Sequence, residues 1–256
     1  MRDGFKVDCL LCGQPLVYSG DLHSVECVVC GGAYEAQVTC QQGHYVCDRC
    51  HSISANELIE QICIRSESMH PLELADSLMN SPSIKMHGPE HHFLVPAVLL
   101  TAYYNQQQNS REKMKKIRMA RQRAEHILGG FCGFYGACGA GIGTGIVVSL
   151  ITDATPLSTE SWGLANRMTA ESLRCIGELG GPRCCKRGTY TALHAAKGFL
   201  QQNLSIQFDI PDAITCDYSE MNRECTALDC PYRPGHQPSQ SLEDAAEQAP
   251  PSLKEN

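Results

Sequence analysis

Cysteine and histidine set the chemistry open to this chain. It carries 16 cysteines and 10 histidines in 256 residues, and most of the cysteines fall in clusters. Cys9-x2-Cys12 and Cys27-x2-Cys30 stand fourteen residues apart, and Cys40-x3-His44-x2-Cys47-x2-Cys50 follows. Each Cys-x-x-Cys turn offers two sulfurs to one tetrahedral ion, so four ligand pairs read as two zinc ions. Iron in an all-cysteine, four-sulfur site is the main alternative, because geometry alone does not exclude it. Spacing leaves open whether the first pair shares its ion with the second or with the third. With every ligand position filled, these sites offer no open coordination position for catalysis. Their expected role is to fold a segment too small to bury a core of its own. Gly13, Gly31 and Gly32 follow the knuckles, where backbone amides must turn toward sulfur. His51 is left over and is expected to be exposed.

A second centre is expected further along. Gly129–Gly145 holds eight glycines and two cysteines in seventeen residues and carries no charge. Gly181-Pro-Arg-Cys-Cys-Lys-Arg187 lies about forty residues downstream. Glycine admits close backbone approach, and thiolates bind soft metals or exchange electrons. The two stretches read as two walls of one buried thiol or metal site. Cys138 and Cys184 would hold the metal or exchange a disulfide, with Cys132 and Cys185 beside them. Arg183 and Arg187 would stabilise a thiolate or an anionic substrate. Thiols at a helix N-terminus next to arginine are expected to have a lowered pKa. His87-Gly-Pro-Glu90-His91-His92 leads into an apolar helix, and His91 or His92 is a candidate ligand or acid–base group at the same site. A third cluster, Cys216-x8-Cys225-x4-Cys230-Pro231, reads as iron–sulfur ligation, with a fourth ligand from Cys184 or Cys185 or an iron left open to substrate. A zinc site or scattered thiols is the alternative.

The elements that must position these residues are mainly helical. Ser54-x-x-Glu57 is a capping box ahead of Leu58, Ile59 and Ile62. Pro71 opens a helix through Met79 with Leu72, Ala75, Leu78 and Met79 buried. Pro96 is expected to kink or restart the helix that follows the histidines, freeing the carbonyl of His92. Ser110–Ile127 carries Arg111, Lys113, Lys115, Lys116, Arg118, Arg121 and Arg123, which read as a solvated face or as contacts to an anionic partner. Gly139, Gly141, Gly143 and Gly145 alternate, but Ile146 stands where a dinucleotide fingerprint needs glycine, so close helix packing is the expected use. Helices over 159–179 and 190–202 complete the body. The expected architecture is a two-zinc ribbon or cross-brace module (1–52), a helical Cys/His domain (53–205), an irregular cysteine-rich segment (206–233) and a disordered tail (234–256).

Composition narrows the function. A formal charge of −7 implies no general attraction to nucleic acid or anionic membrane. MRDGFKVDC has no apolar signal region, so a cytoplasmic protein is expected, and there clustered cysteines bind metal or do redox chemistry. The 25 residues from Ile127 to Ile151 lack charge and could span a bilayer. Eight of them are glycine, which favours a buried core instead.

Two resemblances add to this. Cys40-Gln-Gln-Gly-His44-Tyr-Val-Cys47-Asp-Arg-Cys50 resembles the central ligand run of RING-type cross-brace fingers, without the later Cys-x-x-Cys that completes one. Gly136-Ala-Cys138-Gly-Ala-x-x-Gly143 and Cys184-Cys185, with the helix before them, resemble small helical redox-active proteins named for a Cys…Gly-Cys-Ala-x-x-Gly…Cys…Cys pattern. Here His91 or His92 takes the place of the first cysteine. The longer pattern also resembles an uncharacterised cysteine-rich domain family that can be joined to radical-SAM or methyltransferase modules. The resemblance implies a metal or redox context and no particular reaction, with a radical-SAM or methyltransferase protein as partner. An iron–sulfur cluster or another metal is expected in the helical domain. The rival reading is a zinc-finger module that recognises RNA or a protein through its basic helix.

Overall fold

The computed structural model describes residues 9, 11–12, 14–47, 50 and 54–236. Gly13, His51 and residues 237–256 of the expected tail lie outside the described residues. Strands β1 (Leu16–Glu26) and β2 (Ala33–Cys40) pair antiparallel, from Leu16 opposite Cys40 to Glu26 opposite Ala33. The register shifts between Tyr18 and His23. The hairpin therefore keeps Cys40 at one end and Cys27, which follows β1 directly, at the other.

Helix α1 (Ala55–Arg65) begins as the capping box predicts, with the Ser54 hydroxyl accepting the Glu57 N–H at 3.3 Å. Helix α2 (Pro71–Asn80) opens on its proline and buries Leu72, Ala75, Leu78 and Met79. Helix α3 (Glu90–Gln106) is the centre of the body. Thirteen of its seventeen residues are buried, and α1 and α2 both pack on it. A helix apolar all round can only be core. Pro96 does not restart it; α3 runs through the proline as one helix.

The freed carbonyl explains the neighbour. Helix α6 (Gly139–Ile151) packs on α3 and on α7 (Glu160–Glu178). A Cβ at Gly143 would lie 2.8 Å from Pro96 Cδ and 3.1 Å from the carbonyl oxygen of His92. A Cβ at Gly139 would strike the ring of His92. On the other side, a Cβ at Gly141 would lie 2.8 Å from Leu173 Cδ2, and one at Gly145 would strike Thr169 and lie 3.0 Å from the carbonyl of Ala165. The alternating glycines are thus two stripes at i, i+4 spacing, one for α3 and one for α7.

The uncharged stretch is broken before it can form a long helix. Gly130 and Gly136 adopt left-handed φ of 88° and 65°, flanking a single turn, α5 (Phe131–Phe134). Among the described residues no helix is long and apolar enough to cross a membrane.

Helix α4 (Ser110–Ala124) is only in part the solvated basic face expected of it, with Arg111, Lys115 and Arg118 exposed. Lys113 and Lys116 are buried. Lys113 donates to Ser66 O at 2.7 Å and Asn105 Oδ1 at 2.8 Å, while Lys116 donates to Leu150 O at 2.7 Å and pairs with Asp153. Arg118 and Arg121 both pair with Glu60 of α1. These cations pin α4 to its neighbours, which a pattern of charges along one helix cannot reveal. The last helix, α8 (Cys185–Leu204), packs on α3, α6 and α7 and starts at the cysteine pair, with Cys184 as its N-cap. The fold is mainly α with a small N-terminal sheet, as the sequence implies.

The chain divides into two compact units, Met1–Asp212 and Ala213–Asn256. Within the second, the Cys216 N–H donates to Tyr232 O at 2.6 Å and a 3-10 turn covers Ala227–Asp229.

Two glycine substitutions check the packing of α6. Gly145→Val is expected to cost about 1–3 kcal/mol through overpacking against α7. Gly163→Ala, whose Cβ meets nothing within 4 Å, is expected to add about 0.5–1 kcal/mol. Urea melts of the two variants measure this, and equal effects would contradict the packing described.

Candidate metal and thiol sites

The ligand pairs interleave. Cys9, Cys12, Cys40 and His44 form one group and Cys27, Cys30, Cys47 and Cys50 the other, the ligand atoms of each within 4.8 Å of one another. The first pair therefore shares its site with the third, which is cross-brace pairing. The spacing fits one ion per group. Two 2.3 Å metal–sulfur bonds at a tetrahedral angle place the sulfurs about 3.8 Å apart. Cys12 and Cys40 sulfurs are 3.7 Å apart, and Cys30 and Cys47 sulfurs 3.9 Å. Backbone amides turn toward the sulfurs, Leu11 N to Cys9 at 3.4 Å, His44 N to Cys40 at 3.3 Å and Cys47 N to Cys27 at 3.4 Å. Both groups could hold a metal ion.

Neither group is cut off from the helices. Leu58 of α1 is buried with Cys27, Val29, Cys47 and Cys50, and Ile62, one turn on, packs against both cysteine clusters. Arg65 pairs with Glu26 and its guanidinium lies over Gly31, where a Cβ would strike it. Helix α1 thus forms a lid on the module, while its Cys63 carbonyl accepts from Thr101 of α3 at 3.4 Å.

The second centre is a cavity of about 560 Å³. Cys132 of α5, Cys138 before α6, and Cys184 and Cys185 at the start of α8 all line it, with His91, His92, Arg183 and Arg187. The two glycine- and cysteine-rich stretches do form its walls. Leu173, Ile176 and Leu179, on α7 and its C-cap, supply an aliphatic side. That wall went unread in the sequence. The i, i+3 spacing of Leu173, Ile176 and Leu179 on an amphipathic helix was the available signal.

Two helices begin at this cavity, and each has a cysteine as its N-cap: Cys138 for α6 and Cys184 for α8. The Arg187 N–H donates to Cys184 Sγ at 3.4 Å. A Cβ at Gly188 would lie 3.5 Å from Cys138 Sγ, so the bare first turn of α8 abuts that sulfur. The expected lowering of thiol pKa is overturned for Cys185, and Cys138 is raised as well. Burial raises Cys138, against the pull of the Ala140 and Gly141 amides. Burial likewise pushes Cys185 up to about 11. Desolvation of the thiolate outweighs the helix dipole and Arg183.

The histidines divide their work. His91 is fully buried, with Nδ1 3.0 Å from Thr189 Oγ1 and Nε2 donating to Lys85 O at 3.1 Å. Both ring nitrogens are engaged, and burial drives its pKa down to about 3. His92 donates Nδ1–H to Ile127 O at 2.9 Å. That bond fixes the tautomer, leaving Nε2 unprotonated on a ring that packs against Gly139 of α6 and lines the cavity. Desolvation lowers its pKa as well. Arg187 is buried and donates to the carbonyls of Gly180 and Pro182, both at 2.8 Å. It holds the turn that presents Cys184, while Arg183 is exposed.

The cavity cysteines differ from the N-terminal groups in one respect. Among the described residues, only the two N-terminal groups bring three or more such donors within 4.8 Å of one another. The expected single ion held by Cys138, Cys184 and a histidine is therefore not the geometry found. Cys216, Cys225 and Cys230 do not gather in that way either. Cys216 and Cys230 are buried and Cys225 is half-buried. Cys175 lies 3.5 Å from both Arg174 and Glu171 on its own helix.

Fold and sites together define a cysteine-rich helical protein with an N-terminal cross-brace. The model of a family described as a family of unknown function (DUF5714) matches residues 59–233, and the chain belongs to that family. No curated protein and no solved structure matches the chain. The cavity residues all lie within the matched segment, and the cross-brace ligands all precede it.

Two outcomes are expected. Cys47→Ser removes a ligand and also the neighbour of Leu58, so it should release about one metal ion per chain and loosen α1 as well. Hydrogen exchange and elemental analysis read both, and unchanged metal content would contradict the ligand grouping. In metal-stripped protein, alkylation of Cys185 should keep rising about tenfold per pH unit beyond pH 9, where an unfolded thiol of pKa about 8.5 levels off. A folded-state profile that levels off with the unfolded one would contradict the raised pKa.

Proposed function

We propose that the chain is a metal-thiolate protein with two kinds of centre. The N-terminal cross-brace holds two zinc ions and is structural. The cavity holds a soft metal group, such as an iron–sulfur cluster, through Cys132, Cys138, Cys184 and Cys185, with His92 as an additional nitrogen donor. One observation carries this reading: four cysteines from three separate segments line one cavity at which two helices begin.

The donors fit such a group better than a lone ion. A polynuclear cluster needs its cysteines spread around it, and amides directed at sulfur are a main means of setting its potential. When bound, such a group supplies one-electron transfer or Lewis acidity. The chain's own part is to direct the Arg187 amide at Cys184, the Ala140 and Gly141 amides at Cys138, and to keep His92 neutral with Nδ1–H held by Ile127 O. The resemblance to redox-active cysteine proteins, and to domains joined to radical-SAM or methyltransferase modules, points the same way and suggests such a protein as partner. The C-terminal Cys216, Cys225 and Cys230 remain candidates for a separate metal site. RNA recognition through α4 is less favoured, because Lys116 is buried and Arg118 and Arg121 are paired with Glu60.

A visible spectrum of protein purified without oxygen tests this. Broad absorption near 400 nm, about the range of sulfur-to-iron charge transfer, that bleaches with dithionite is the expected result. A colourless protein whose only metal is cross-brace zinc would overturn the cavity assignment.

A further inference from the structure

Volume is the first reason to look past the metal. An ion takes no more room than the ~30 Å³ share of a water molecule. The cavity encloses about 560 Å³, within the ~300–1,000 Å³ range of pockets that bind small molecules. Its lining is also mixed. Four cysteines and the first turns of α6 and α8 share it with Leu173, Ile176 and Leu179, and Leu173 and Ile176 pack beside Gly141 of α6.

Charge is the second reason. The residues lining the cavity include Arg183 and Arg187 but no aspartate or glutamate. Two helix N-termini open on it, sharing their first-turn amides with the sulfurs of Cys138 and Cys184. Arg187 is committed to the Gly180 and Pro182 carbonyls. Arg183 is exposed at the start of α8, beside Cys185. A cavity lined by arginine and by aliphatic side chains, with no carboxylate, selects an anion with a hydrocarbon body.

We infer that this cavity also binds a small organic anion of the aliphatic carboxylate class. Its negative group sits at the first turns of α6 and α8 within reach of Arg183, and its chain lies along Leu173, Ile176 and Leu179. The inference extends the reading of the cavity as a metal-thiolate site but does not need the metal to be present. The thiols and the carboxylate would then share one chamber, which places a soft metal or a reactive thiol next to a bound organic acid.

Calorimetric titration of the full chain with butyrate, hexanoate, octanoate, octylammonium and inorganic phosphate tests it, with metal content measured on the same samples. Affinity should rise from butyrate to octanoate, fall with added salt, and be absent for octylammonium. Arg183→Glu, at an exposed position, should weaken octanoate binding about tenfold or more while leaving folding unchanged. Ile176→Gln should flatten the dependence on chain length. Octylammonium binding as well as octanoate, or phosphate binding as well as octanoate, would overturn the inference. So would no binding at all, or an Arg183→Glu variant that binds normally. Carboxylate binding to protein without cavity metal would uphold the inference and remove the metal reading, and the reverse result would do the opposite.

Discussion

The packing of α6 between α3 and α7 is the constraint on which the helical body depends. Its glycines let two neighbours approach from opposite sides at distances no Cβ allows. Gly143 meets the carbonyl that Pro96 leaves free on α3, so a proline that weakens one helix creates the surface on which another docks. Because α6 starts where it does, Cys138 is delivered to the cavity at its N-terminus. Because α8 starts at Cys185 and packs on α3, α6 and α7, its two cysteines arrive at the same place. The site follows from where helices begin, and helix positions follow from glycine.

Much of this was legible from residue order. The Ser54 capping box, the proline start of α2 and the two cysteine-rich walls are local or pairwise signals, and each appears where expected. The cross-brace pairing was not legible, because spacing within pairs says nothing about which pairs meet. The β hairpin decides it, by carrying Cys40 back toward Cys12 and leaving Cys27 beside Cys47. The basic helix was misread in part, for a related reason. Lys113 and Lys116 satisfy carbonyls at the ends of other helices, and a helix sequence alone does not show which carbonyls will stand opposite it. Thiol acidity was misjudged because the helix dipole is visible in a sequence and burial is not.

The two cysteine-rich regions contrast physically. In the cross-brace the sulfurs already stand at the separation one tetrahedral ion imposes, and α1 covers them with Leu58 and Ile62. Such groups stabilise by closing a segment with little core of its own. Around the cavity the cysteines are spread over a larger volume, lie partly open, and share it with an aliphatic wall. That arrangement suits a group that reacts or exchanges ligands. The family match spans the segment that carries the cavity residues, and the cross-brace ligands precede it.

Metal counting on paired proteins tests the cavity assignment most directly. Wild-type chain and a Cys138→Ser/Cys184→Ser variant, both purified without oxygen, would be compared by elemental analysis and circular dichroism. The account predicts zinc near two per chain in both, with further soft metal in the wild type alone and the same helical content. Equal metal content in the two folded proteins would contradict it.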